Sequence, residues 1–147
     1  MTAVVAAVLL SCTSLWAESN GKCGDNLTWT LDDNGVLTIS GTGKMYDYRE
    51  SPWKDLSIKK GVIKDGVTNI GASAFDGCSS LASVEIPSSV TSMEYGVFTS
   101  SGLTSVTFNA EKCTKMGEAY YSVFNDCKSI KTLTIGERVT MIPDFAF

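Results

Sequence analysis

The sequence predicts a β-rich solenoid of stacked coils, with a β-hairpin cap at its N-terminal end. One observation is a recurring phenylalanine at spacings of 23, 26 and 23 residues, at Phe75, Phe98, Phe124 and Phe147. Another is a recurring string: "GVTNI", "SVTSM" and "RVTMI" each end five residues before a phenylalanine. The third is an alternation of apolar and polar residues on both sides of Asn34-Gly35, which is typical of a hairpin.

Each repeat accounts for one coil. In "LASVEI", the apolar residues Leu81, Val84 and Ile86 are predicted to point inward from a short strand, with Ser83 and Glu85 pointing outward. The string "SVTSM" is then a second extended segment, and the following phenylalanine plugs the turn to the next coil. Self-similarity with a period of about 20–29 residues is the signature of a leucine-rich-repeat solenoid, in which stacking buries the core that one coil leaves open. Residues 58–147 hold about four coils, of which the last is incomplete.

The hairpin and a loop occupy residues 18–57, which we predict to be the N-terminal cap. In "NLTWTLDDNGVLTISG", alternating apolar residues predict two strands, and Asn34-Gly35 is predicted to supply the positive-φ pair of a tight turn. The loop that follows contains Pro52 and Trp53, which are expected to pack on a hydrophobic end of the solenoid.

Residues 1–17 are predicted to be a signal segment. Residues 3–10, "AVVAAVLL", are apolar, but the apolar region is shorter than the ~20 residues that a membrane helix needs. Ala17 offers a small residue at a cleavage position, although no Lys or Arg precedes the apolar run. One alternative is that "LLSC" is a bacterial lipoprotein box, in which Cys12 carries the lipid, and another is that neither cleavage nor lipidation occurs. A membrane is therefore expected as a partner only through a signal segment or a lipid anchor.

Composition excludes several function classes. The net charge is -4 and the lysines are scattered, so no basic stripe for nucleic acid is present. The chain has no histidine, which excludes Ser-His-Asp and Cys-His catalysis and removes the usual ligand of catalytic zinc. No CxxC spacing occurs among the five cysteines. We expect no enzyme, no cofactor and no metal.

Cys78 and Cys127 occupy the same slot of the repeat, with Ser101 in the coil between them. Two coils correspond to roughly 10 Å, beyond the reach of a disulfide. We therefore predict buried thiols that pack as small hydrophobes, and no bond between these two cysteines.

Two segments resemble a known family, the BspA-like leucine-rich repeats of bacterial surface proteins. They are "SLASVEIPSSVTSMEYGVFTSSGLTSVTF" and "VIKDGVTNIGASAFDGCSSL", both within residues 58–147. A third segment, "CGDNLTWTLDDNGVLTISGTGKMYDY", resembles the cap that often precedes such repeats. The resemblance implies a secreted or surface-anchored protein without catalytic residues. Family members are associated with adhesion to host matrix proteins, attachment to other cells and contact with host immunity.

The chain departs from the pattern at identifiable places. Gly61 stands where a strand needs an apolar residue, which predicts a weak or irregular first coil. The third coil lacks the proline found at Pro87 and is longer, with extra residues around "EAYYSVF". Tyr120 and Tyr121 in this insertion are candidates for an aromatic binding patch, with covering of a widened core as the alternative.

The favoured function is a secreted or cell-surface binding and adhesion module, with proteins or glycans of a host or a neighbouring cell as partners. The predicted contact surface is the strand face, where stacking aligns outward side chains into two rows, namely Ser83, Ser105 and Thr132, and Glu85, Thr107 and Thr134.

Two rival functions remain. The repeats could be a structural spacer or targeting module for a further domain, and because the sequence stops at Phe147 without a terminal cap, we expect a C-terminally truncated protein. An enzymatic role would rest on carboxylates of the loop, such as Asp47 and Glu50.

Overall fold

The computed structural model describes residues 19–147; the predicted signal segment and Cys12 lie outside the described residues. The described chain forms eleven short strands. They are β1 (Ser19–Gly24), β2 (Leu27–Leu31), β3 (Val36–Gly41), β4 (Gly43–Lys44), β5 (Lys60–Ile63), β6 (Val67–Ile70), β7 (Ser83–Ile86), β8 (Ser92–Met93), β9 (Ser105–Phe108), β10 (Lys115–Met116) and β11 (Thr132–Ile135). Within residues 19–147 no helical segment has the length and apolar character needed to cross a bilayer.

Two sheets form opposite walls of the coil. The larger has seven strands in the order β1-β2-β3-β5-β7-β9-β11, antiparallel from β1 to β3 and parallel from there onward. The smaller has four parallel strands, β10-β8-β6-β4. The coils that begin with β3, β5, β7 and β9 contribute one strand to each sheet, and the predicted β-rich leucine-rich-repeat solenoid of about four turns is confirmed.

A column of stacked aromatic rings runs through the coils. Trp53, Phe75, Phe98, Phe124 and Phe147 follow one another with ring centroids 5.6, 5.1, 5.2 and 5.1 Å apart. The repeated phenylalanine therefore plugs each turn, as its spacing predicts. Trp53 is fully buried and packs on the N-terminal end of the column, where its indole N–H donates to a carbonyl of the next coil at 2.8 Å.

The N-terminal end holds more structure than a two-stranded hairpin. β1 pairs antiparallel with β2, so the cap is a meander of three strands that continues directly into the parallel sheet. The turn between β2 and β3 also differs from the predicted one. Only Gly35 has a positive φ, of 78°, and its N–H donates to the Asp32 carbonyl at 3.0 Å. Asn34 keeps a negative φ because the Asp32 carboxylate accepts its N–H and that of Val36, at 2.9 Å each, and holds a wider turn.

The first repeat coil is regular, which overturns the expectation drawn from Gly61. Gly61 is buried in β5, aligned with Leu37 of β3 and with Val84 of β7. A Cβ at this position would lie 3.3 Å from Cγ2 of Val84. The glycine thus leaves room for a larger side chain of the next coil, and the core stays filled.

The last coil is only half docked. Residues 138–142, "RVTMI", resemble the strings that form β6 and β8, yet they form no strand beside β10. At the equivalent position of earlier coils, the N–H groups of Glu94 and Gly117 donate to the preceding coil at 3.0 Å. Pro143 stands there in the last coil and has no N–H to donate, so one rung of the ladder is lost. Ile142 is exposed, like Leu133 and Ile135 of the same coil, whereas Ile70 and Met93 are fully buried.

Candidate functional site

The predicted rows of outward side chains form on the seven-stranded sheet. Parallel pairing aligns Ser83 with Ser105 and Ser105 with Thr132. It likewise aligns Glu85 with Thr107 and Thr107 with Thr134. All six side chains are partly or fully exposed, while Val84 and Val106 between them are buried. Neighbours within a row lie about 4.8 Å apart, the spacing of paired strands.

The rows extend beyond the residues predicted from sequence. Lys60 of β5 is aligned with Ser83, and Val62 with Glu85. The second row then continues through Thr38 of β3 to Thr30 of β2. The signal that could have revealed this lies in the sequence itself, since "LTIS" at residues 37–40 matches "LTIG" at residues 133–136. Among the positions of these two rows, only Lys60 and Glu85 are charged, so the surface is dominated by hydroxyl groups.

Tyr120 and Tyr121 lie elsewhere, in a turn that follows β10. The turn is closed by two backbone hydrogen bonds between Glu118 and Tyr121, of 3.2 and 2.9 Å. Tyr120 is 96% exposed and has a φ of 74°, while Tyr121 is 61% exposed. Neither side chain covers the core, so the alternative of a widened core does not describe them. The ring of Tyr121 contacts that of Tyr95 with centroids 6.0 Å apart and an interplanar angle of 58°.

A polar network on the four-stranded sheet ends beside these tyrosines. The buried amide of Asn69 donates to the Ser92 hydroxyl at 2.8 Å and to the Glu94 carboxylate at 3.0 Å. Lys115 contacts the other Glu94 oxygen at 2.6 Å and lies 3.8 Å from Glu118. The hydrogen bond from Lys115 is the main reason why the pKa of Glu94 lies below its usual value. This carboxylate is thus fixed in place and ionised.

The cysteines occupy inward positions. Cys78 is buried, and burial raises the pKa of its thiol to about 11, as it does for Cys23. Cys127 is half-buried, with its sulfur 3.3 Å from the Ser101 hydroxyl and 2.9 Å from the Phe98 carbonyl. Ser101 therefore lies in the coil next to Cys127, as the repeat register predicts. Protonated thiols in these positions are unreactive and pack as small hydrophobic groups.

The loop carboxylates that an enzymatic role would need have structural partners. One oxygen of Asp47 accepts the backbone N–H of Ala72 at 2.8 Å and ties the loop to the next coil. Glu50 forms an exposed ion pair with Lys54 at 3.2 Å. Within residues 19–147 no cluster of three or more His, Cys, Asp or Glu side chains could hold a metal ion.

Comparisons with known proteins agree with this architecture. The sequence model of the BspA-type leucine-rich repeat region matches residues 49–147, in six copies. The structure is similar to that of a leucine-rich repeat protein from Eubacterium ventriosum, with a TM-score of 0.52 and 20% identity over 83% of this chain and 45% of the other. It also matches a leucine-rich cell surface protein from Faecalibacterium prausnitzii, with a TM-score of 0.41 and 18% identity over 83% and 44% of the two chains. The chain thus spans less than half the length of these solved structures. Among curated proteins, none matches it.

Proposed function

The chain belongs to the family of BspA-type leucine-rich repeat proteins, and on this basis we propose that it is a non-catalytic binding module of the bacterial cell surface. Its contact surface is the outer face of the seven-stranded sheet, and its partners are proteins or glycans of a host or a neighbouring cell. The observation that carries the proposal is the register of the two rows on that face, Ser83 to Thr132 and Glu85 to Thr134.

The chemistry of the rows supports a binding role. A hydroxyl group donates and accepts a hydrogen bond, so a flat array of serines and threonines matches the amides of a protein and the hydroxyls of a glycan equally well. The sheet holds the array in a fixed register, which lowers the entropy that is lost on binding. The low charge of the face favours a neutral or weakly charged partner.

Two features support a non-catalytic role. The chain contains no histidine, and the loop carboxylates Asp47 and Glu50 are engaged in a backbone hydrogen bond and an ion pair. A general acid or base needs a free proton-binding group beside a substrate pocket, and neither carboxylate meets that description. We therefore assign the function to surface recognition.

Export is part of the proposal and rests on the apolar residues 3–10, with Ala17 at a cleavage position. Mass spectrometry of the protein expressed in a bacterial host with both signal peptidases tests this. A mature chain that begins at Glu18 supports cleavage, and one that begins at a lipid-modified Cys12 supports a lipid anchor. An intact Met1 contradicts both forms of export.

The binding surface is tested with the purified chain on arrays of extracellular matrix proteins and glycans. The triple variant Glu85→Ala, Thr107→Ala, Thr134→Ala removes the carboxylate and the two hydroxyl groups of one row on β7, β9 and β11, and should abolish the strongest array signals. Its matched control removes one carboxylate and two threonines that lie exposed outside the two rows. The control substitutions are Thr42→Ala, Asp55→Ala and Thr114→Ala.

The outcomes separate binding from a spacer role. Loss of signal in the row variant alone supports the proposed face. Unchanged binding in both variants shows that the face is wrong. If the intact chain binds nothing on either array, a structural spacer becomes the better explanation of a stack of coils.

A further inference from the structure

A second surface, separate from the seven-stranded sheet, has the properties of a ligand site. We name it the tyrosine patch: Tyr95, Tyr120 and Tyr121, with the carboxylates of Glu94 and Glu118 beside it. Its residues come directly after β8 and β10 of the four-stranded sheet, on the opposite wall of the coil from the two hydroxyl rows. The site is independent of the function proposed for those rows.

The insertion that forms the patch is not needed by the core. Phe98 and Phe124 are separated by 26 residues instead of 23, yet their rings stack at 5.2 Å and 6°. The neighbouring Phe75–Phe98 pair, with the ordinary spacing, stacks at 5.1 Å and 17°. The extra residues are therefore extruded as the Glu118–Tyr121 turn while the column continues unchanged.

The turn exposes the rings of Tyr120 and Tyr121 to solvent. Positive φ recurs two residues before each of the other phenylalanine plugs, at Ser73, Gly96 and Phe145, with φ of 53°, 62° and 61°. In the insertion the left-handed residue is Tyr120, a bulky side chain that disfavours this conformation by about 1–2 kcal/mol. Exposed tyrosines on a rigid backbone are typical of contact surfaces, because their rings bury a large area at low entropic cost.

The polar groups beside the rings are mainly hydrogen-bond acceptors. Glu94 is fixed by Asn69 and Lys115, and Glu118 is mostly exposed with its carboxylate 3.8 Å from the Lys115 ammonium. A carboxylate accepts hydrogen bonds and can bind two donors at once. Two carboxylates against one ammonium leave one net negative charge, which disfavours phosphorylated, sulfated or sialylated ligands.

These properties select one class of ligand. A sugar ring in the pyranose form has an apolar C–H face that stacks on tyrosine and hydroxyl groups that donate to carboxylates. A proline-rich peptide also stacks on tyrosine, but its prolines have no N–H and offer only carbonyl acceptors. We propose that the tyrosine patch binds the pyranose rings of a neutral glycan, with Tyr95 and Tyr121 as stacking surfaces, Tyr120 as a third contact and Glu118 as hydroxyl acceptor.

Saturation-transfer NMR on the full chain tests the proposal, with cellohexaose, maltohexaose and chitohexaose as probes. Decaproline and a heparin hexasaccharide are the competing probes. At least one neutral sugar should bind with a dissociation constant of about 1 mM and should shift tyrosine ring resonances. If no neutral sugar binds at about 20 mM, or if only decaproline or heparin binds, the assignment is overturned.

Substitutions then locate the site. Tyr121→Ala should weaken binding by about fivefold or more, whereas Tyr121→Phe, which keeps the ring, should stay within about twofold. The control is Tyr46→Ala, since Tyr46 is 45% exposed against 61% for Tyr121, but follows β4, three strands from β10 in the four-stranded sheet, and its hydroxyl donates to Asp25. Equal weakening in Tyr46→Ala and Tyr121→Ala contradicts a site at the patch.

One variant separates binding from structure. Tyr120→Gly removes the ring and also relieves the left-handed strain, so the melting temperature should rise or stay unchanged while sugar binding weakens. A merely structural Tyr120 would give the opposite result, with a lower melting temperature and unchanged binding. The row variant with Glu85, Thr107 and Thr134 replaced should bind the sugar normally, so failure of one proposal is distinguishable from failure of the other.

Discussion

The aromatic column makes a graded prediction about stability. Phe98→Ala should lower the free energy of unfolding by about 4 kcal/mol, because Phe98 is fully buried and loses ring contacts on both sides. Transfer of the side chain contributes about 1.5–3 kcal/mol, and each of the two ring pairs about 0.5–1.5 kcal/mol. The sum brackets the 3–5 kcal/mol that is usual for removal of a core phenylalanine.

The same change at the end of the column should have a much smaller effect. Phe147 is 64% exposed and stacks on one ring, that of Phe124, at 5.1 Å. Phe147→Ala loses only about a third of the transfer free energy of a buried phenylalanine, together with one ring pair, so the free energy of unfolding should fall by about 1.5 kcal/mol. Phe98→Leu, which keeps most of the volume without the ring, should lose less than Phe98→Ala and serves as the control for cavity formation.

Urea unfolding, followed by far-UV circular dichroism and by tryptophan fluorescence, measures these losses. The two probes should report the same midpoint, since Trp53 is part of the column and the coils unfold together. Losses within about 0.5 kcal/mol of each other for Phe98→Ala and Phe147→Ala would show that the stacked rings are not the source of stability. A changed m-value would point to an altered denatured state instead.

Three further outcomes are expected. Ser100 and Gly77 occupy equivalent positions of neighbouring coils and have positive φ of 52° and 68°. In thermal melts, Ser100→Gly should stabilise the chain by about 0.5–1 kcal/mol, and Gly77→Ala should destabilise it by a similar amount. The effect at Gly77 is one of backbone conformation, because no heavy atom lies within 4 Å of an added Cβ. Asn69→Ala should cost about 1–3 kcal/mol in urea titrations, since it removes the buried amide that anchors Glu94. Lys115 lowers the pKa of Glu94 in the folded chain. The ionised carboxylate therefore contributes its full stabilisation above about pH 4.5, and this is lost as the pH falls through the lowered pKa of the folded state. Between neutral pH and pH 3, Glu94→Gln should thus lose less stability than the parent chain. Parallel melting curves of the two proteins over this range would contradict the ion pair.

Most of the solenoid could be predicted because the core repeats. A coil needs the same plugs in the same places, so the spacing from Phe75 to Phe147 shows the stacking register directly. The sequence predicts only that Trp53 packs on a hydrophobic end. The repeat does not reveal its place in the column, because a different aromatic residue fills the slot. Similarly, the alternating pattern assigns β3 to a hairpin, although its Thr38 continues an outward row of the coils.

Other features depend on contacts that a repeat pattern does not contain. "RVTMI" has the residue types of a strand, but the missing N–H of Pro143 removes a rung that Glu94 and Gly117 make in their coils. Gly61 violates the apolar pattern of its own strand, and only the neighbouring Val84 explains why a glycine fits. Both features depend on a contact between neighbouring coils, so reading one repeat at a time gives the wrong result.

The tyrosine patch shows why departures from a repeat carry information about function. Extra residues in a coil can be accommodated in two ways: they widen the core, or they form a turn outside it. The sequence around "EAYYSVF" fits both, because tyrosine is large enough to fill a core and polar enough to face water. The geometry of Phe124 decides between them, since its undisturbed stacking on Phe98 leaves no gap for Tyr120 or Tyr121 to fill. A solenoid constrains only its inward residues to repeat, so an extruded turn with two exposed rings can be changed for binding without altering the stack.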